Sequence, residues 1–489
     1  MLFNTIDFVI FFFVFLLVIE IIRNRRFQHI FLLGASLFFF YYTNTYYIPI
    51  LVYTIVLDFY LAKAIYNANS VQRKKILLWI SLASNLGLLG FFKYTDFAIT
   101  QFNILSKYFD LNQIPLMHII MPIGISFYTF HSLGYIIDIY RGNITPTKSL
   151  RDYAIFVAFF PQLVAGPILR ASHFLPQLRE KIQQLGTGTQ LRQIIIENTN
   201  LKLGITIMAL GFLKKMFFAD NIAPMVTNVF SQLSYHDSFG IIVATIGFAI
   251  QIYCDFSGYS DIAFGAALVM GFHIPINFNK PYFASSPSEY WRRWHITLGT
   301  WVRDYLYFPL VFKNRKSNIR IFLSLLFSFF LIGLWHGSSW NFIVWGAMHG
   351  IFVAVDTVTR NKLPSLRNHR FFQTKLGNAC SIFITQYLIF LSYIAFRVQD
   401  IDDLLYSMKK YIIIDVHSNP ITFIKSWEFP LFLILIFVIL HFISYKKGNI
   451  RESIARLNSW YWCGFITSII IIIVLFYGGH PEDFIYFEF

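Results

Sequence analysis

His336 stands where a long apolar stretch, residues 321–335, reaches the polar turn His336-Gly337-Ser338-Ser339 and a second apolar run begins at Trp340. A neutral imidazole titrates near physiological pH and can take a proton from a hydroxyl. An ionisable group in such a setting is costly unless it is paired or lines a cavity, and it is read as functional by default. His336 is thus either a general base or a histidine hydrogen-bonded between two helices. A second concentration of chemistry lies 41 positions earlier, in Glu289-Tyr290-Trp291-Arg292-Arg293-Trp294-His295. Arginine binds phosphate bidentately, so Arg292 and Arg293, with Trp291 and Trp294, fit the mouth of a site for a phosphate-bearing donor, with His295 deeper and orienting an acyl group. Arginine beside tryptophan is also the composition of a membrane-surface anchor, and composition alone favours that bland reading. A third cluster, Cys254–Asp261, carries two carboxylates, Asp255 and Asp261, in apolar sequence. Such acids need partners, and Arg292, Arg293 and Arg303 are the expected ones, in a structural ion-pair network rather than a proton path. At the C-terminus, Phe484–Phe489 alternates aromatic residues. That pattern fits an aromatic belt, or it presents Tyr486 as a phenol that holds an acyl group transiently. His131, His273 and His349 lie in or near apolar segments and read as core residues, with His349 placed to support His336.

The elements that position these groups are membrane helices. Of 489 residues only 13% are charged and 56% are apolar, against about 25% charged in a soluble domain. Apolar cores at Ile6–Ile22, Ile76–Phe92, Ile241–Tyr253, Ile321–Trp335, Leu431–Ile443 and Cys463–Tyr477 recur along the chain, and with their flanks they approach the roughly 20 residues that span a bilayer. About 11 to 14 membrane segments are expected on that length. The formal charge of +15 sits in short loops, which membrane orientation explains without nucleic acid. Basic loops at Arg23–Arg26, Arg73–Lys75, Arg141–Arg151, Arg170–Lys202, Lys313–Arg320, Arg360–Lys375 and Lys446–Arg456 face the cytoplasm on this rule, with both termini outside. The region 152–168 is interrupted by Pro161, Gly166 and Pro167 and reads as a re-entrant segment. Lys214 and Lys215 break the run 203–218, which reads as lying along the interface, and residues 273–312 are too polar and aromatic for one lipid-facing helix. Cys254, Cys380 and Cys463 form neither a metal spacing nor a disulfide framework. No repeat relates the two halves, which weakens a transporter reading.

Taken in order, these segments resemble the bacterial MBOAT (membrane-bound O-acyltransferase) family, in its branch of alginate and peptidoglycan O-acetyltransferases. The resemblance rests on Met121–Phe130, Phe160–Pro167, Tyr253–Asp261, Asn277–Asn279 with Pro281-Tyr282, Trp291–His295, Arg303–Tyr307, Leu334–Gly337 and the terminal Phe484–Phe489. It implies an all-α polytopic fold, one domain over residues 1–489, with a ring of transmembrane helices around a thinner core and a tunnel. It implies that His336 is catalytic and His295 its partner, that no cofactor or metal is bound, and that the donor is a cytoplasmic thioester, acetyl-CoA or an acyl carrier. It also implies an extracytoplasmic esterase-like (SGNH) partner, residence in the bacterial inner membrane, and an acyl relay on the position of Tyr486. Two departures stand out: Val311-Phe312 follows Leu310 where the family often has paired glycines, and Glu488 replaces a common glutamine. The expected function is O-acetylation of a cell-wall glycan or an exopolysaccharide such as alginate. The abundance of Ile, Phe, Lys and Asn suggests AT-rich coding and tilts the choice toward peptidoglycan. The alternatives are a membrane transporter, or a scaffold for an exported esterase with no chemistry of its own.

Overall fold

A hydrocarbon layer offers no partner to a backbone N–H or C=O, so an apolar chain of this kind satisfies its own polar groups in helices. The computed structural model describes residues 1–164, 166–181, 189–312, 317–363, 365, 369–477 and 484–485. It is all-α in class; the sheet among the described residues is one antiparallel pair of three-residue strands, Arg179–Lys181 and Thr189–Leu191, with Arg179 opposite Leu191. Seven helices among the described residues are long and apolar enough to cross a membrane: Thr45–Asn67, Val71–Tyr108, Ser238–Val269, Asn318–His336, Trp340–Lys362, Lys375–Arg397 and Glu428–Lys447. The shortest has 19 residues, about 28 Å of helix against a hydrocarbon layer of about 30 Å. The larger number of segments expected from the sequence includes shorter apolar helices, such as Ile6–Ile21 and Ser459–Leu475. The basic cluster Lys313, Arg315 and Lys316 lies outside the described residues.

The chain divides into two compact units, residues 1–208 with 259–275, and residues 209–258 with 276–489. In the first, Asp58 is fully buried and is held by neutral donors on the neighbouring long helix, the Ser81 hydroxyl at 2.6 Å and the Asn85 amide at 2.9 Å. The basic 170–202 region is tied in by Arg179, which pairs with Asp152 at 2.5 Å. The interruption expected near Pro161 is present: Leu150–Ala158 ends at Phe159, and a four-residue helix, Phe160–Leu163, restarts with proline near its first position. Proline has no N–H to lose there.

In the second unit, Asn318–His336 and Trp340–Lys362 form a tight hairpin. Glycines let the two backbones close. A Cβ on Gly346 would sit 2.5 Å from the Phe329 carbonyl oxygen and 3.1 Å from Gly333 Cα, and one on Gly333 would sit 2.3 Å from the Phe342 carbonyl oxygen. Backbone atoms cannot swing aside as a side chain can. Gly346→Val is therefore expected to force the helices apart at a cost of about 1–3 kcal/mol or more. Thermal unfolding of the purified protein checks this against Gly464→Ala, where nothing lies within 4 Å of the added methyl; equal midpoints would refute it. The loop expected near 398–428 contains two helices, Ile401–Ile412 and Pro420–Ser426. The first is capped by Asp400, whose carboxylate accepts from the Asp402 and Asp403 N–H groups, and it ends on Lys409 and Lys410, as the helix dipole favours. Asp237 ties the following segment to the start of Ser238–Val269 by accepting from the N–H groups of Phe239, Gly240, His417 and Ser418 and from the Ser418 hydroxyl.

Candidate functional site

Residues 277–302 are broken into short pieces, as their polarity suggests. Ser286 caps a single turn, Pro287–Trp291, which Pro287 helps to start. The chain then turns at His295 into Ile296–Val302. His295 takes φ 43° and ψ 53°, the left-handed region, which costs a residue with a Cβ about 1–3 kcal/mol. Neighbouring hydrogen bonds impose it: the Asn279 N–H donates to Arg293 O at 2.9 Å, the Ile296 N–H to Asn277 O at 3.0 Å, and the Thr297 hydroxyl to Asn277 Oδ1 at 2.6 Å. The imidazole is 1% exposed, and neither ring nitrogen meets a hydrogen-bond partner among the described residues. One side of the ring meets Phe256 edge-on at 4.7 Å; another faces the Trp335 indole at 6.3 Å.

The same indole touches His336. That residue ends its helix and is followed by Gly337, whose position is crowded by the Phe342 ring. His336 is 5% exposed and ringed by Trp335 at 4.7 Å, Trp345 at 4.8 Å and perpendicular, and Phe396 at 5.2 Å. The structure thus brings His295 and His336 against one indole, from positions 41 residues apart in sequence. Close to the turn, the Ser339 hydroxyl, Asn341 Oδ1 and the Trp345 indole N–H are buried without a hydrogen bond among the described residues. Unsatisfied buried polar atoms are rare in native proteins, and each calls for a reason.

His349 behaves in the opposite way. It is fully buried, and both nitrogens are used. The Trp291 indole N–H donates to Nδ1 at 3.1 Å, which leaves the proton on Nε2. Nε2 then donates to Ser392 Oγ at 2.9 Å, and the Ser392 hydroxyl to the Ile389 carbonyl at 2.6 Å. His349 holds Trp291 and, through ring contact at 4.6 Å, Trp345, which in turn faces His336. It supports the site as the sequence suggests.

The Trp-Arg-Arg-Trp-His run is divided by the turn. Trp291 and Trp294 are buried, Trp294 stacked on Tyr290 at 5.7 Å, while Arg292 is exposed. Arg293 is half-buried and committed to Glu289 through two N–H groups, at 2.8 and 3.0 Å. The remaining Nη1 of Arg293 donates to the Asn279 carbonyl at 3.3 Å, so Arg292 is the exposed guanidinium of the run.

Asp255 has a different partner from those expected. Arg303 pairs with the adjacent Asp304 at 2.8 Å and is half exposed. The cation at Asp255 is Lys215, 2.8 Å from Oδ1, and Lys215 also reaches Asp220 at 2.9 Å. Lys215 is 1% exposed and lies on a π-helical stretch, Leu213–Ala219, so it does not lie along the membrane surface. The two carboxylates could not share one cation group: six residues on a helix turn through about 600°, which puts them on different sides. Asp261 is buried on its own side of the helix. Lys215 sits beside Lys214 in one apolar run and Asp255 shares another with Asp261, so the sequence alone leaves their pairing open. Phe484 is fully buried against Phe256 at 5.8 Å rather than facing lipid, so the aromatic-belt reading fails for it. Tyr486 lies outside the described residues. Among the described residues no three His, Cys, Asp or Glu side chains gather as metal ligands.

Comparison with known proteins identifies the family. The family described as MBOAT, membrane-bound O-acyltransferase, matches residues 143–398, a range that takes in Lys215, Asp255, His295, His336, Trp345 and His349. The chain is 30% identical to the peptidoglycan O-acetyltransferase of Helicobacter pylori, over 96% of its own length and 92% of that protein's. It is 37% identical to a probable alginate O-acetylase of Azotobacter vinelandii, over 68% of this chain and 64% of the other. It is 29% identical to the teichoic acid D-alanyltransferase of Bacillus subtilis, over 49% and 60% respectively. A match across half the chain, together with a relative aligned almost end to end, shows the family: this protein belongs to the membrane-bound O-acyltransferases.

Proposed function

We propose that this acyltransferase moves an acetyl group from a cytoplasmic thioester, acetyl-CoA or an acyl carrier, to an extracytoplasmic cell-wall glycan, with peptidoglycan favoured. The observation that carries the reading is the pair of buried imidazoles against one indole, His336 in an aromatic cage and His295 with neither nitrogen bonded among the described residues. Peptidoglycan is favoured over alginate because the relative named for it aligns over 96% of this chain, against 68% for an alginate O-acetylase.

His336 acts as general base. It takes the proton of an acceptor hydroxyl while that oxygen attacks the thioester carbonyl. His295 and the Trp345 indole N–H are the donors to the oxygen that becomes negative. When the C–S bond breaks, the proton on His336 passes to the departing thiolate, and the imidazole is neutral again. The acceptor hydroxyl is the Tyr486 phenol or a serine of an exported esterase-like partner, which passes the group to the glycan. Arg292, with Arg293 beside it, meets the phosphates of the donor at the cytoplasmic mouth. Trp291 and Trp294 form the wall behind them. Asp255, Asp261 and Arg303 serve structure. Both termini lie outside the bacterial inner membrane on this reading.

His336→Ala tests the reading. Loss of a general base lowers rate about 100- to 10,000-fold, so glycan O-acetylation in cells is expected to fall to background while the variant inserts at normal abundance. Undiminished acetylation would overturn it. A pure transporter would show no acetyl-CoA cleavage by the purified wild type.

A further inference from the structure

The end of a chain frays unless something ties it down. Here the described end is tied into the interior. Phe484 and Ile485 are 0% and 4% exposed. The Ile485 N–H donates to Asp255 Oδ2 at 2.8 Å, while Oδ1 of the same carboxylate takes the Lys215 ammonium at 2.8 Å. The ammonium also takes Asp220 at 2.9 Å, so each oxygen of Asp255 has a separate task, one to the ion triad and one to the tail. A hydrogen bond from backbone to a charged acceptor is about twice as strong as a neutral one, and it fixes the height of the chain whatever the side chain at that position. One residue along, Phe256 touches both the Phe484 ring at 5.8 Å and the His295 ring at 4.7 Å. The tail is therefore seated one aromatic ring away from an imidazole that has no partner of its own among the described residues.

We propose that Lys215, Asp220 and Asp255 form a clamp that seats the C-terminal tail beside His295, and that acyl transfer depends on the tail being seated. Asp255 is then a positioning residue. It acts on the reaction through Ile485 and not by touching a reacting atom. The proposal rests on the acyl-transfer reading of the His295–His336 site. It adds that the C-terminus belongs to that site and that its register there is set by one main-chain N–H.

Two readouts test the clamp. The first does not involve activity. In a background with Cys380→Ser and Cys463→Ser, Phe484→Cys places a thiol in the seat, and its labelling by a permeant maleimide is followed in detergent. Labelling is expected to be slow, and to become fast when Asp255→Ala is added. The second is transfer to acceptor. Asp255→Ala and Ile485→Pro, which removes the donating N–H, are each expected to lower it about 100-fold, the scale of a roughly 1 Å misplacement. Their combination is expected to do no more than either alone, and Ile485→Val, which keeps the N–H, is expected to retain wild-type transfer. Unchanged labelling in Asp255→Ala overturns the clamp, and so does full transfer with a released tail. Ile485→Pro leaves the triad intact, so it answers the question even where Asp255→Ala does not fold. His336→Ala keeps the two readings apart: transfer surviving that change sinks the acyl-transfer reading, while the labelling result still decides whether Asp255 seats the tail.

Discussion

His295→Phe is expected to abolish acyl transfer while leaving thermal stability unchanged or raised. Phenylalanine keeps a flat ring against Phe256 and Trp335, so the edge-on contact at 4.7 Å survives. It removes two buried nitrogens that no described residue satisfies, each worth about 1–3 kcal/mol of unrecovered desolvation. Against this stands the larger ring volume, for which overpacking costs about 1–3 kcal/mol. The first effect equals or exceeds the second, so the net change is zero or favourable. On the role proposed for His295, transfer falls by about two to three orders of magnitude, the loss seen when a donor to a developing oxyanion is removed. Thermal midpoint and acetyl transfer measured on the same purified sample settle the matter. A clear fall in midpoint would mean that the imidazole is there for the fold.

Lys215→Met is expected to do the reverse and prevent recovery of folded protein. The ammonium is 1% exposed and serves two carboxylates, at 2.8 and 2.9 Å. Removing it leaves the buried Asp255 and the partly buried Asp220 without that ammonium. Breaking a buried pair in this way costs about 3–5 kcal/mol, a large part of the roughly 5–15 kcal/mol that holds a typical domain together. Size-exclusion chromatography of the tagged protein in mild detergent reads the loss as a shift from a single peak to aggregate. Adding Asp220→Asn and Asp255→Asn is expected to restore the peak, because the cost comes from uncompensated charge and not from a missing packing volume. A normal peak for Lys215→Met alone would show that the acids find another cation. The two substitutions separate two kinds of buried polar group, one satisfied and needed for the fold, the other unsatisfied and kept for something outside it.

The membrane helices and the hairpin at His336 were legible because they depend on local composition. Residues 321–335 and the run from Trp340 are mostly apolar, and the turn between them is polar. His295 was legible as chemistry but not as geometry. Its left-handed backbone depends on hydrogen bonds from Asn277 and Asn279, which lie 16 to 18 residues away in sequence. The partner of Asp255 was misread for the same reason. Arg292, Arg293 and Arg303 lie 37, 38 and 48 positions after Asp255 and Lys215 lies 40 before it, so distance along the chain does not tell them apart. Trp345 and Asn341 were passed over because an indole and an amide in apolar sequence read as packing until their hydrogen bonds are counted. The helix Ile401–Ile412 carried its signals openly, Asp400 before it and two lysines at its end, but a short amphipathic helix between two spans is easily taken for plain loop.

The helix Val71–Tyr108 has 38 residues, which is about 57 Å of rod. Transmembrane helices tilt by up to about 40°, and even at that tilt its height is about 44 Å, some 14 Å more than the hydrocarbon layer. Part of the rod must stand clear of the lipid at one end. The later turns of this helix carry polar ties of their own: Asp96 accepts from the Met117 and Ile119 N–H groups, and Asn103 exchanges hydrogen bonds with the Ile114 backbone.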